Sequence, residues 1–168
     1  QKILKEGDIV TVDTGATYKG YASDACRTYP VGEISDEAAN LIKVTEESFW
    51  AGIKNAMPGN RLSDISHGVQ EVAEAAGYGV IREYTGHGVG RDLHEDPMIP
   101  NYGKPGRGPR LVPGMVFAVE PMITQGSYEV KTLSNGWTVV TTDGKLSSHY
   151  ENTFAITEDG PDLLTYKD

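Results

Sequence analysis

Gly86-His87-Gly88-Val89-Gly90-Arg91-Asp92-Leu93-His94-Glu95 is the stretch around which the chain is organised. Two histidines lie seven residues apart, one inside a run of three alternating glycines and the other followed by an acid. Glycines at alternate positions let a backbone turn tightly and leave the side chain between them open to a ligand, so the stretch predicts a loop that presents His87. Taken alone the pattern is ambiguous, because Gly-x-Gly runs also cradle phosphates and a lone histidine is more often a structural hydrogen-bonding residue. Carboxylates elsewhere shift the balance: Asp13, Asp24, Glu120 and Glu151 all fall within or at the ends of apolar, strand-like runs.

The bulk properties narrow the class. A chain of 168 residues fits one domain with a real core and no linker. Its hydrophobic content of 38% beside 23% charged residues is that of a globular protein, and no apolar run approaches the roughly 20 residues that cross a bilayer. Lys and Arg number 15 against 24 Asp and Glu, a net charge of −9, which argues against a nucleic-acid surface and suits metal cations or cationic substrates. The single Cys26 has no internal disulfide partner, as expected in a reducing, cytoplasmic setting. No signal peptide is visible. The chain opens on Gln1 rather than Met and is strand-like within a few residues, so an N-terminal portion is expected to be missing.

Lys5 to Val31 read as two strands. Ile9, Val10 and Val12 form the first apolar run, closed by Asp13-Thr14-Gly15; Tyr18, Tyr21 and Tyr29 mark the second, ended by Pro30. A hairpin would bring Asp13 and Asp24 together if its register allowed. A buried pair of carboxylates needs a cation, since otherwise one takes up a proton; the competing reading is an Asx-turn at Asp13 and a bulge at Asp24. From Ser35, a plausible N-cap, the period becomes helical through Leu41, Ile42, Phe49, Ile53 and Ala56 until Pro58-Gly59. A second helix is predicted from Ser63 to a C-cap at Gly77, with His67 just off its apolar face and read as a surface residue. Tyr78 to Tyr84 reads as a strand entering the His87 loop. After Glu95 a proline- and glycine-rich irregular segment reaches Arg110 and is expected to wall a site. Met115 to Val119 is a continuous apolar run typical of a strand buried on both faces, ending in Glu120-Pro121. Further strands are predicted at Tyr128 to Leu133, Trp137 to Thr142 and Ser148 to Thr157, with hairpin turns at Asn135-Gly136 and Asp143-Gly144.

Four acids and one imidazole suit hard or borderline divalent ions such as manganese, iron(II), cobalt or magnesium; zinc more typically takes a second histidine or a cysteine. Five donors with several carboxylates are enough for two ions bridged by shared oxygens, a geometry that generates a hydroxide nucleophile and holds a substrate carbonyl. The words Asp8-Ile9-Val10-Thr11-Val12-Asp13, Gly86-His87-Gly88-Val89-Gly90, His94-Glu95-Asp96-Pro97 and Val119-Glu120-Pro121-Met122, with Asp24 and Glu151, closely resemble the type I methionine aminopeptidases of metallopeptidase family M24 over nearly the whole chain. The resemblance implies an α+β pita-bread fold, a curved antiparallel sheet backed by helices. It implies two divalent ions, of manganese, iron(II) or cobalt with zinc or magnesium as alternatives, bridged by Asp24 and Glu151, with Asp13 on one ion and His87 and Glu120 on the other. Glu120 would also shuttle protons, His94 would hydrogen-bond the substrate or the tetrahedral intermediate, and Trp137 would form part of the methionine pocket.

The resemblance further implies a monomer that removes the N-terminal methionine of nascent polypeptides whose second residue is small, with the ribosome as a partner and with neither a membrane nor a nucleic-acid sequence recognised. In the family an N-terminal portion supplies helices, part of the pocket and another histidine, and Leu93 stands where phenylalanine is common, widening the pocket. Three rivals compete: a proline-directed peptidase of the same superfamily, against which Glu120-Pro121-Met122 argues; a non-catalytic binding protein on this fold, which would be expected to have lost ligands; and a phosphate binder, for which the Lys-Ser/Thr signature is lacking.

Overall fold

The computed structural model describes residues 3–166. Its elements in chain order are β1 (Ile9–Tyr18), β2 (Tyr21–Pro30), α1 (Asp36–Ile53), α2 (Leu62–Ala75), β3 (Gly79–Val80), β4 (Gly86–Gly88) and β5 (Glu95–Ile99). There follow β6 (Val116–Val119), β7 (Met122–Thr124), β8 (Val130–Thr132), β9 (Val139–Thr141), β10 (Ser147–His149), β11 (Glu151–Thr157) and β12 (Gly160–Leu163). The main sheet runs β1-β2-β11-β6-β4-β5, with β12 on β11, and all its pairings are antiparallel. A small β10-β7-β3 sheet and the β8-β9 hairpin complete the strands.

Alternation along the strands divides the sheet into two chemical faces. Phe117, Val119, Phe154 and Ile156 point to one side, where they join Phe49, Ile53, Ile65 and Val69 of α1 and α2 in the main core. Full burial of a side chain such as Phe49 or Phe154 contributes about 1.5–3 kcal/mol each. The residues between them, Ala118 and Glu151 among others, face the other way. Ser35 caps α1, its Oγ accepting from Ala38 N at 3.2 Å, with Asp36 and Glu37 in the first turn. The helices approach closely because Gly52 and Gly68 lie at their crossing: a Cβ on Gly68 would sit 2.8 Å from Ala51 O. No helix among the described residues is long and apolar enough to cross a membrane.

Several sequence expectations need correction. Asp13-Thr14-Gly15 does not end a strand, because β1 continues to Tyr18 and the chain turns at Lys19-Gly20, where Lys19 has φ 50° and Gly20 φ 79°. The strand expected over Tyr78 to Tyr84 shrinks to Gly79–Val80. The supposed His87 loop begins as β4, and the irregular segment after Glu95 begins as β5, its partner. The remainder, from Pro100 to Arg110, packs on α2 through Gly103 N to Gln70 Oε1 and Arg107 N to Ser63 Oγ, and Asn101 Nδ2 donates to Glu120 O at 3.0 Å, so it braces both that helix and the end of β6 that carries Glu120. Asn135-Gly136 does turn the β8-β9 hairpin, whereas Asp143-Gly144 connects β9 to β10, which pair with different strands. Ser148 to Thr157 is broken at Tyr150 into β10 and β11.

Candidate metal centre

Register places the acids together. In the β1-β2 hairpin Asp13 pairs with Cys26 and Gly15 with Asp24, so Asp13 and Asp24 are diagonal neighbours on one face. Cys26 pairs on its other side with Glu151 of β11. Asn152 pairs with Val119, which brings Glu151 level with Glu120 just past the end of β6; His87 pairs with Ala118 on the same face. One ligand atom from each of Asp13, Asp24 and Glu151 falls in one cluster within 4.8 Å, and the same holds for His87, Glu120 and Glu151. Glu151 is common to both groups. All five expected ligands therefore converge on the sheet face opposite the helices, and each comes from a strand or a strand end.

The sequence around each residue explains its pose. Thr153 Oγ1 accepts from Asp24 N and donates to Asp24 O, both at 2.8 Å, and so fixes the backbone that carries this carboxylate. The glycines flanking His87 serve packing: a Cβ on Gly86 would press into the Ala118 carbonyl, and one on Gly88 into that of Asp96. His87 Nδ1 lies 2.9 Å from Gly88 O. A carbonyl only accepts, so Nδ1 donates to it and Nε2 is the ring nitrogen turned towards the acids. Nε2 faces Glu120 Oε1 at 3.4 Å and Asp24 Oδ2 at 3.8 Å. Electron-rich atoms so placed call for a cation between them.

Electrostatics point the same way. Burial, then the neighbouring carboxylates Glu120, Asp24 and Asp13, raise the pKa of Glu151 to about 9, so without a cation this acid holds a proton at neutral pH. Asp13 is also raised, chiefly by burial and by Asp24, against the opposing effect of His149. Glu151 is 1% exposed and its Oε1 has no hydrogen-bond partner. An orphaned buried carboxylate oxygen among three other acids fits a set of divalent cations better than it fits a structural network.

The remaining expected residues are spread around this centre. The His94 ring is 4.2 Å from that of His87 and exposed, and one of its nitrogens clusters with Asp24 and His87. A cavity of about 550 Å³ opens beside the acids, lined by Asp13, His94, Glu120, Met122, Trp137 and His149 among others. Trp137 is 81% exposed at its rim. Leu93 leans towards Gly15, where an added Cβ would meet its methyls at 3.2 Å, and is absent from the lining of that cavity. His67, half-buried on α2, belongs to none of these clusters. Sequence reasoning missed three residues here: Cys26, Thr153 and His149, whose Nε2 is 3.5 Å from Glu120 Oε2. A period-two count from Asp24 and from Glu151 finds all three on the ligand face.

Comparison with known proteins agrees with this geometry. The model of metallopeptidase family M24 matches residues 1–158. The chain is 62% identical over 164 residues to a methionine aminopeptidase of Clostridium acetobutylicum and 57% identical over 164 residues to methionine aminopeptidase 1 of Bacillus subtilis. Each alignment covers 98% of this chain and 66% of the relative, so the chain spans just under two thirds of their length. The crystal structure of the Thermotoga maritima methionine aminopeptidase superposes with a TM-score of 0.96 at 51% identity, over 99% of this chain and 67% of that one. The architecture is accordingly the pita-bread fold, and the chain belongs to metallopeptidase family M24.

Proposed function

We propose that residues 1–168 are a single catalytic domain of a metallo-aminopeptidase that removes N-terminal methionine from peptides whose second residue is small. The observation that carries this reading is the convergence of Asp13, Asp24, His87, Glu120 and Glu151 on one face beside a cavity rimmed by an indole. Asp24 and Glu151 would be shared between two divalent ions, Asp13 would hold one ion, and His87 and Glu120 the other; the donor set favours manganese, iron(II) or cobalt. Bound there, the ions supply Lewis acidity and make water a nucleophile near neutral pH.

The chain's own residues do the rest. Glu120 sits at the boundary between acids and cavity, where one carboxylate oxygen can accept a proton from the attacking water and return it to the leaving amine. His94, exposed over His87, donates a hydrogen bond to the substrate carbonyl as charge develops on its oxygen. Trp137 and Met122 offer a polarisable, apolar wall for a thioether. The excess of carboxylates attracts the substrate's terminal ammonium. Nascent chains are the natural source of such substrates.

The test is methionine release from Met-Ala-Ser by the demetallated chain resupplied with manganese or cobalt, beside Met-Leu-Ser and an X-Pro peptide. Release from Met-Ala-Ser alone is expected. Cleavage of the X-Pro peptide alone, or of none, would contradict the proposal for this chain.

A further inference from the structure

Cys26 and His149 lie beside the five proposed ligands, yet the proposed reaction uses neither. Cys26 is fully buried in β2, between Asp13 of β1 and Glu151 of β11. His149 ends β10, and its backbone is clamped to β2: Thr28 Oγ1 donates to His149 O at 2.9 Å and accepts from His149 N at 3.0 Å. Thr11 completes the clamp with its hydroxyl 2.8 Å from that of Thr28. Thr28 is two residues from Cys26 and shares its face, so the clamp fixes the backbone that carries the imidazole relative to the strand that carries the thiol. His149 Nε2 is buried, faces Glu120 Oε2 at 3.5 Å and makes no hydrogen bond.

We propose that Asp13, Cys26 and His149 form a distinct site for one thiophilic divalent cation such as zinc, beside the proposed dinuclear centre and sharing Asp13 with it. One ligand atom from each of the three lies within 4.8 Å of the others. Tetrahedral zinc, with bonds of about 2.3 Å to sulfur and 2.0–2.2 Å to nitrogen and oxygen, sets its donors about 3.3–3.7 Å apart, so side chains whose donor atoms already lie within 4.8 Å of one another close on the ion by movements of about 1 Å. The donor set differs in kind from that of the neighbouring centre. One sulfur, one nitrogen and one oxygen favour zinc or cobalt over manganese or magnesium, which the oxygen-rich cluster suits better. Asp13 and His149 also line the cavity, which provides a path of entry and room for water as a fourth ligand. On binding, the thiol proton passes to solvent and the thiolate takes its place on the ion.

Sharing Asp13 has a consequence: a cation here draws that carboxylate towards the cavity floor, so excess zinc competes with the arrangement the proposed reaction needs. In this one respect the inference rests on the proposed function. The experiment is a titration of the demetallated chain with cobalt(II), following near-ultraviolet thiolate-to-cobalt absorption and the number of ions bound. The band is expected to grow as a third equivalent binds. Cys26→Ala should abolish it while two equivalents remain, and His149→Gln should weaken the third equivalent by at least about tenfold, the lower end of what losing even an outer-shell partner costs. Two ions bound with no band at excess cobalt, or a band that survives Cys26→Ala, would overturn this site alone. A band with a single ion bound would support this site and overturn the dinuclear reading.

Discussion

Glu151→Gln separates a metal ligand from a structural acid. In the metal-free chain Glu151, raised to about 9, is protonated at neutral pH, so a glutamine replaces one neutral group by another of nearly equal volume. Metal-free stability should change by no more than about 1 kcal/mol, the scale of a single altered hydrogen bond. The sign of the pH dependence follows from the same shift. Between 4.5 and about 9 the folded chain keeps a proton that the unfolded chain releases. Metal-free stability is therefore greatest below that window and is lost as pH rises through it, a slope that the glutamine variant lacks. With metal the contrast reverses. At a metal concentration 100 times Kd, binding stabilises the wild type by about 2.7 kcal/mol, which for a chain of this size raises Tm by about 5–11 °C. If loss of the shared carboxylate weakens binding a hundredfold, only about 0.4 kcal/mol remains, or about 1–2 °C. Differential scanning fluorimetry across pH, with and without manganese, reads all three effects. A full metal-induced rise in Glu151→Gln, or a large loss of metal-free stability, would refute the reasoning.

Other substitutions divide along the same lines. His94→Ala should bind the same number of ions but turn over Met-Ala-Ser about 10²–10³-fold more slowly, as removal of an oxyanion donor does; equal turnover in steady-state kinetics would dismiss its role. Trp137→Ala, at a position 81% exposed, should leave unfolding stability within about 0.5 kcal/mol of wild type while raising KM for methionyl peptides. Gly86→Ala drives a methyl group into the Ala118 carbonyl and should cost about 1–3 kcal/mol in chemical denaturation, with weaker metal binding because β4 carries His87.

Sequence and structure agree where the physics is local. The apolar run that opens β1, the capped period of α1 and the apolar run ending at Glu120 are set by neighbours, and each is legible in the chain, although the far end of β1 is not. The five expected ligands come together because strand pairing carries them there, and that pairing is long-range: Cys26 meets Glu151 only in the assembled sheet. The glycines at 86 and 88 misled for a related reason. They suggested a tightly turning loop, whereas they relieve contacts with Ala118 and Asp96, partners that the sequence alone does not identify. Cys26 and His149 gave no signal because neither sits in a recognisable motif; their meaning lies in the row of residues across β1, β2 and β11 and in the Thr28 clamp. The segment from Pro100 to Arg110 follows the contour of α2 and ties Asn101 to the carbonyl of Glu120, partners that composition does not identify.

The most direct test of the central claim, that five side chains on one sheet face hold two divalent ions, is anomalous diffraction from manganese-soaked crystals of the chain. Two peaks are expected, both within about 2.5 Å of carboxylate oxygens of Asp24 and Glu151, with Asp13 beside one and His87 and Glu120 beside the other. A single peak, or peaks that leave Asp24 and Glu151 without a bond to metal, would contradict the account.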